Sequence, residues 1–218
     1  MNVSMKKLYR QVLYLSLFTI GYNIVEGLVS MFLGYKDETL SLFGFGIDSF
    51  IEVISGLGIL QMILRIRKNP ENSVNSFEVT ALKITGWSFY GLSLGLLAGG
   101  IISILQHHKP VTTFWGIIIA LISIVVMLWL AVSKFRTGKK LDSAPVIADA
   151  NCTKVCIYMS VVLLAASLIY EVTGFAYADV IGAAGLIWFS VSEGHEALEK
   201  AKDLGSRAFI TRAGHDAR

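Results

Sequence analysis

The sequence predicts an all-α fold: a polytopic membrane protein whose six transmembrane helices form one bundle with both termini cytoplasmic. Three observations carry that prediction. The chain of 218 residues is 54% hydrophobic and only 16% charged, where an ordinary soluble domain carries about 25% charged residues. Its mean hydropathy is +0.63, so polar side chains are too few to clothe a water-soluble core. The apolar residues also fall in six continuous runs of helix-spanning length, without the period-two alternation of a membrane barrel. The formal charge of +3 and the pI near 8.8 come from a few basic clusters beside those runs. Such clusters suit loops near an anionic leaflet better than a nucleic-acid surface. Three prolines and two cysteines argue against a long disordered tract and against a secreted disulfide framework.

A run of about 17 to 25 apolar residues crosses a ~30 Å hydrocarbon layer at 1.5 Å per residue. The first span, residues 11–34, follows Lys6, Lys7 and Arg10 as a signal peptide's core would. It runs too long and lacks a small-residue cleavage pattern, so a retained helix is expected. The second and third spans are residues 39–64 and 84–105, and the fourth is 111–133. The fifth is 144–170, with Ser143 and Pro145 as its start signal, and the sixth is 175–192. Together they occupy nearly two-thirds of the chain, so the organisation expected is a transport-sized membrane domain over 1–198 and a short cytoplasmic tail over 199–218. Basic residues set the orientation. Lys6, Lys7 and Arg10, then Arg65, Arg67 and Lys68 with Lys83, then Lys134, Arg136, Lys139 and Lys140, and finally the tail lie on one side; only Lys36 and Lys109 lie on the other.

Ionisable groups at bilayer depth are costly and therefore point to function. Spans three and four carry none, whereas span two holds Asp48 and Glu52, and span five holds Asp149, Lys154, Cys152 and Cys156. Each pair, Asp48 with Glu52 and Cys152 with Cys156, is four residues apart and so shares one helix face. Counting from the outer edge puts Asp48 roughly 13 Å and Glu52 roughly 19 Å deep. Counting from the inner edge puts Cys152 roughly 12 Å and Cys156 roughly 18 Å in, so Cys152 is expected to face Glu52 and Cys156 to face Asp48. Two carboxylates and two thiolates from facing helices make a tetrahedral site for a borderline or soft divalent cation. Four anionic ligands around a dication leave excess negative charge in the membrane, so protons must bind when the metal leaves. The plain alternatives are space-filling cysteines and a carboxylate pair that only bonds neighbouring helices.

At this point the residues resemble a known family. The run from Gly44 through Asp48 and Glu52 to Val53, and the run from Ala148 through Cys152 to Cys156, resemble the second and fifth helices of cation diffusion facilitators. Tyr177-Ala178-Asp179 and Glu193-Gly194-His195-Glu196 are similar to the start and end of that family's sixth helix, with Val180 in place of a proline. The resemblance implies that Asp48, Glu52, Cys152 and Cys156 bind a transported divalent metal, typically zinc, and that the protein is not an enzyme. Two departures stand out. The fifth helix carries Cys-x-x-x-Cys in place of the family's His-x-x-x-Asp, which favours softer ions such as Zn2+, Cd2+, Hg2+ or Fe2+, with Co2+ also open. Only 26 residues follow Ser192, so the expectation is a short subgroup without the family's C-terminal cytoplasmic metal-binding domain.

The function expected is therefore export of a divalent metal cation, Zn2+ or a similar ion, by proton-coupled alternating access, from a bacterial inner membrane. No permanent cofactor and no nucleic-acid partner are expected. A membrane thiol redox protein using Cys152 and Cys156, or a metal sensor that does not transport, remain alternatives. Asn23 and Glu26 on span one are candidates for the cargo's path, with a helix-bonding Asn23 as the alternative. Asp149 is a candidate supporting or gating carboxylate, and Lys154 is expected to pair with it. Gly91, Gly95 and Gly99 form a small-residue stripe that could pack within the bundle or serve a homodimer. His107 and His108 are expected to be ordinary loop residues, His195 and His215 weaker still as ligands, and Asp179 is expected to cap span six.

Overall fold

A computed structural model describes residues 3–37, 39–68, 76–107, 109–141, 144–175 and 177–216. The described residues fold as six α-helices in order: α1 (Val3–Lys36), α2 (Leu40–Lys68), α3 (Ser76–Leu105), α4 (Phe114–Leu141), α5 (Ala144–Thr173) and α6 (Ala178–Asp216). The all-α polytopic architecture expected from the hydropathy is the one observed. Five of the helices hold stretches long and apolar enough to cross a membrane: Lys7–Lys36, Leu40–Gly58, Leu82–Leu105, Phe114–Leu141 and Asp149–Thr173. The sixth is 39 residues long, with its apolar part confined between Asp179 and Glu193.

The helices outrun the hydropathy spans at most ends, because hydropathy registers only the part in lipid, whereas backbone hydrogen bonding continues into the interface. Thus α2 reaches Lys68, α4 continues through Lys139 and Lys140, and the tail continues α6. At the start of α4 the helix begins later than hydropathy suggests. Residues 111–113 lie outside it, and the Thr113 carbonyl accepts the Ile117 amide at 3.2 Å. Of the expected start signal for α5, Ser143 lies outside the described residues.

The pairs α1 with α2, α3 with α6, and α4 with α5 lie side by side, and α2 also touches α3, α5 and α6. The core is drawn from five helices, including Leu42 and Phe45 of α2, Phe89 and Leu96 of α3, Met159 and Leu163 of α5 and Leu186 of α6. Leu94, Val125 and Trp188 point outward, as side chains facing lipid must. Val12 of α1, Leu141 of α4 and Val146 of α5 cluster at one end. At the opposite end, the Val111 amide donates to the Asp37 carbonyl at 2.9 Å. The start of α1 and the end of α6 therefore lie at the first end.

Two carboxylates close the second end. Asp179 was expected to cap its own helix. Its Oδ2 accepts the Leu40 amide at 2.8 Å and its Oδ1 the Ser41 amide at 3.0 Å, with the Ser41 hydroxyl donating as well, so it caps α2 across the bundle. Placed in the first turn of α6, which opens at Ala178, the Asp179 side chain reaches the orphan amides of α2. Glu171 of α5 does the same for α4, accepting the Thr113 amide at 3.1 Å and its hydroxyl at 3.0 Å.

Two of the close crossings that require glycine join α1 to α2 and α3 to α6. A Cβ on Gly27 would fall 2.8 Å from the Phe50 ring, and one on Gly46 would fall 2.7 Å from Met31, so α1 and α2 meet backbone to backbone there. Between α3 and α6, a Cβ on Gly86 would lie 3.0 Å from the Gly194 carbonyl, and one on Gly194 would lie 3.1 Å from that of Gly86. Each crossing sits beside a polar residue of interest: Glu26 precedes Gly27, Thr85 precedes Gly86, and Glu193 precedes Gly194.

Candidate functional site

The crossing at Gly27 and Gly46 presses the polar residues of α1 onto α2. Asn23, wholly buried, donates from Nδ2 to Glu52 Oε2 at 2.9 Å. The other Glu52 oxygen, Oε1, accepts from the Cys156 thiol. The four-residue spacing on α2 and on α5 thus brings a carboxylate and a thiol into direct contact across two helices. The contact differs by one turn from the expected pairing, in which Cys156 faced Asp48. Depth arithmetic assumed that both helices begin at the edges of the hydrocarbon layer. A 29-residue α2 and a 30-residue α5 extend ~43 Å at 1.5 Å per residue, so their ends do not mark those edges.

Asp48, Glu52 and Cys152 line a cavity of about 40 Å³, walled on other sides by Thr85 and Phe89 of α3 and by Glu193, Ala197 and Lys200 of α6. Asp48 is 2% exposed and its Oδ1 has no hydrogen-bond donor. Asn23 Oδ1 and Thr85 Oγ1 are likewise buried without a partner. Leaving buried oxygens unpaired costs free energy, and oxygens short of donors form a cation-attracting lining. Among the described residues, no three His, Cys, Asp or Glu side chains gather closely enough to hold a metal ion. The arrangement pairs Glu52 with Cys156, while Asp48 and Cys152 stand apart on the same cavity.

Glu26 and Asp149 have other partners. Glu26 is buried and accepts from the Tyr22 hydroxyl at 2.7 Å and from Ser49 Oγ at 3.2 Å. Asp149 does not pair with Lys154. Its Oδ2 lies 3.0 Å from the ammonium of Lys134, which also donates to Thr153 Oγ1 at 3.1 Å. Lys134, placed by hydropathy in the connection after span four, is instead 1% exposed, because α4 continues past it and packs on α5. Lys154 is exposed, donates to Asn151 Oδ1 at 3.1 Å and lies over the Phe135 ring.

Thr85 carries no charge, so nothing in the hydropathy of the third span marks it. Glu193 had been noted only as part of a terminal Glu-Gly pair; the signal for its placement was Gly194, which lets α6 approach α3. Glu193 lies just past the sixth span, where burial, with the Glu196 charge beside it, pushes its carboxyl up to about 7. Beside it, the Lys200 ammonium is 2.6 Å from Glu196 Oε1. His107 is exposed with a left-handed φ of 51°, His195 pairs with Glu199 at 3.4 Å on the surface, and His108 lies outside the described residues. A Cβ at Gly91 or Gly95 would meet nothing within 4 Å, whereas one at Gly99 would fall 2.8 Å from Leu40. The stripe is therefore packed inside the bundle only at its last glycine.

The chain is 28% identical over 177 residues to an uncharacterized transporter of Methanocaldococcus jannaschii, a match covering 78% of this chain. It spans about three-fifths of that relative's length (61%). The cation efflux transmembrane domain matches residues 13–204, which takes in α2 to α5, most of α1 and α6, and every side chain lining the cavity. The chain belongs to the cation efflux family of membrane transporters.

Proposed function

We propose that the protein carries a divalent transition-metal cation, Zn2+ or a similarly borderline or soft ion, out of the cytoplasm in exchange for protons. Asp48, Glu52, Cys152 and Cys156 are the ligands of that cargo. The observation that carries the reading is the contact between the Glu52 carboxylate and the Cys156 thiol, beside an Asp48 oxygen that has no donor. A cation drawn between α2 and α5 would replace the thiol proton and satisfy the unpaired oxygen in one step. Thiolates favour Zn2+ and Cd2+ over Mg2+ and Ca2+. Asn23 orients Glu52 through their 2.9 Å bond. Glu26 lies toward the second end as part of the proton or cargo path, and Asp149 anchors Lys134 behind the thiols.

On this reading residues 1–198 form the transport domain, and 199–218 form a short cytoplasmic tail. The protein resides in a bacterial inner membrane with both termini inside, as its basic residues favour. The exposed Gly91 and Gly95 suit a homodimer face. The test is flux into proteoliposomes carrying a zinc-sensitive dye and a pH dye, with Zn2+, Cd2+, Fe2+, Co2+ and Mn2+ presented in turn. Wild type is expected to move Zn2+ with opposing proton movement, and Asp48→Asn or Cys152→Ala/Cys156→Ala to abolish it. Full flux in the double cysteine variant would overturn the four-ligand site.

A further inference from the structure

The cavity continues beyond the ligand pairs toward the end of the bundle where α1 starts and α6 ends, because its remaining wall comes from the first turns of α3 and the later turns of α6. Two oxygen-bearing side chains stand there. Thr85 is 2% exposed and its Oγ1 has no hydrogen-bond partner. Glu193 is half-buried on the facing helix. The Gly86 and Gly194 crossing fixes their positions, since each glycine follows its polar residue and the two helices touch there. Lys200 also lines this cavity, and its ammonium lies 2.6 Å from Oε1 of Glu196, one turn before it on α6. A lysine on the wall of a cavity that carboxylates also line has a simple electrostatic meaning: its charge offsets theirs while no mobile cation is present.

We propose that Glu193 and Thr85 form a second cation station between the cytoplasmic end of the bundle and the Asp48 and Glu52 pair, and that the Lys200 ammonium holds this station while cargo is absent. The inference rests on the transport reading above. A carboxylate and a hydroxyl are hard oxygen donors that hold a partly hydrated divalent ion loosely. The deeper thiols hold it more tightly, so affinity rises inward and the ion moves on. The Thr85 oxygen, short of a donor, gains a partner when the ion arrives.

Zn2+ uptake is measured in everted membrane vesicles, which present the cytoplasmic face to the medium, and in right-side-out vesicles, which present the other. In everted vesicles, Glu193→Gln is expected to raise KM for Zn2+ about tenfold at unchanged kcat, Thr85→Val to raise it less, and Lys200→Met to lower it. None of the three should change KM in right-side-out vesicles. The opposite sign for Lys200→Met separates the station from general damage to the fold. Equal KM for wild type and Glu193→Gln would overturn the station and leave the transport reading standing. The same KM change on both faces would also overturn it and make Glu193 a structural residue. Absence of Zn2+ flux in wild type would overturn the transport reading, and the station with it.

Discussion

Removing the ammonium of Lys134 should destabilise the bundle far more than removing a surface lysine. Its Nζ lies 3.0 Å from Asp149 Oδ2, with side-chain exposures of 1% and 10%. At that 3.0 Å separation and an effective dielectric near 20, the pair attracts by about 5.5 kcal/mol. Much of this is offset by the cost of taking both charges out of water, so the intact pair contributes little net stability. The single variant Lys134→Met is different, because it keeps the desolvated carboxylate and removes its counter-charge. The expected loss is about 3–5 kcal/mol, together with the 3.1 Å bond to Thr153. The double variant Lys134→Met/Asp149→Leu should recover most of that loss, since an apolar pair of similar volume needs no counter-charge. The assay is reversible unfolding in mixed micelles with increasing SDS fraction, followed by tryptophan fluorescence, for wild type, both single variants and the double. A Lys134→Met variant within about 1 kcal/mol of wild type would refute the argument, because that is the range of exposed ion pairs.

Other outcomes follow from the same structure. Asp179→Ala should cost about 1–2 kcal/mol in the same titration, because the first amides of α2 lose their acceptor, while Asp179→Asn retains part of it. Glu171→Ala should cost less, about 0.5–1 kcal/mol, since Glu171 is exposed. Gly86→Ala, whose Cβ would fall 2.7 Å from Leu198 Cγ, should destabilise by about 1–3 kcal/mol and slow Zn2+ flux by shifting Glu193 against Thr85. Asn23→Ala should weaken Zn2+ binding by about tenfold without abolishing transport, read as KM in proteoliposomes.

Much of this was legible in the sequence because lipid imposes simple rules. Continuous apolar runs can only be helices in a bilayer, and charges placed there stand out, so the six helices and the residues around Asp48, Glu52, Cys152 and Cys156 could be read directly. Pairing across helices was not legible to within a turn. Glu52 meets Cys156 because helix ends overshoot the hydrocarbon by amounts that hydropathy does not measure. The burial of Lys134 was hidden for a related reason: a lysine after an apolar run looks like a loop, yet a helix that continues can carry it into a neighbour's side. Thr85 and the reach of Asp179 across to α2 depend on close helix approaches, which single glycines permit but do not announce.

The two capping carboxylates divide the bundle in a way that bears on how it can move. Asp179 fastens the start of α6 to the start of α2, and Glu171 fastens the end of α5 to the start of α4. The carboxylate pair of the cavity belongs to the first fastened set and the cysteine pair to the second. A small pivot of one set against the other would open or close the gap between Asp48 and Cys152 like the jaws of a clamp, without bending either helix and without breaking either cap.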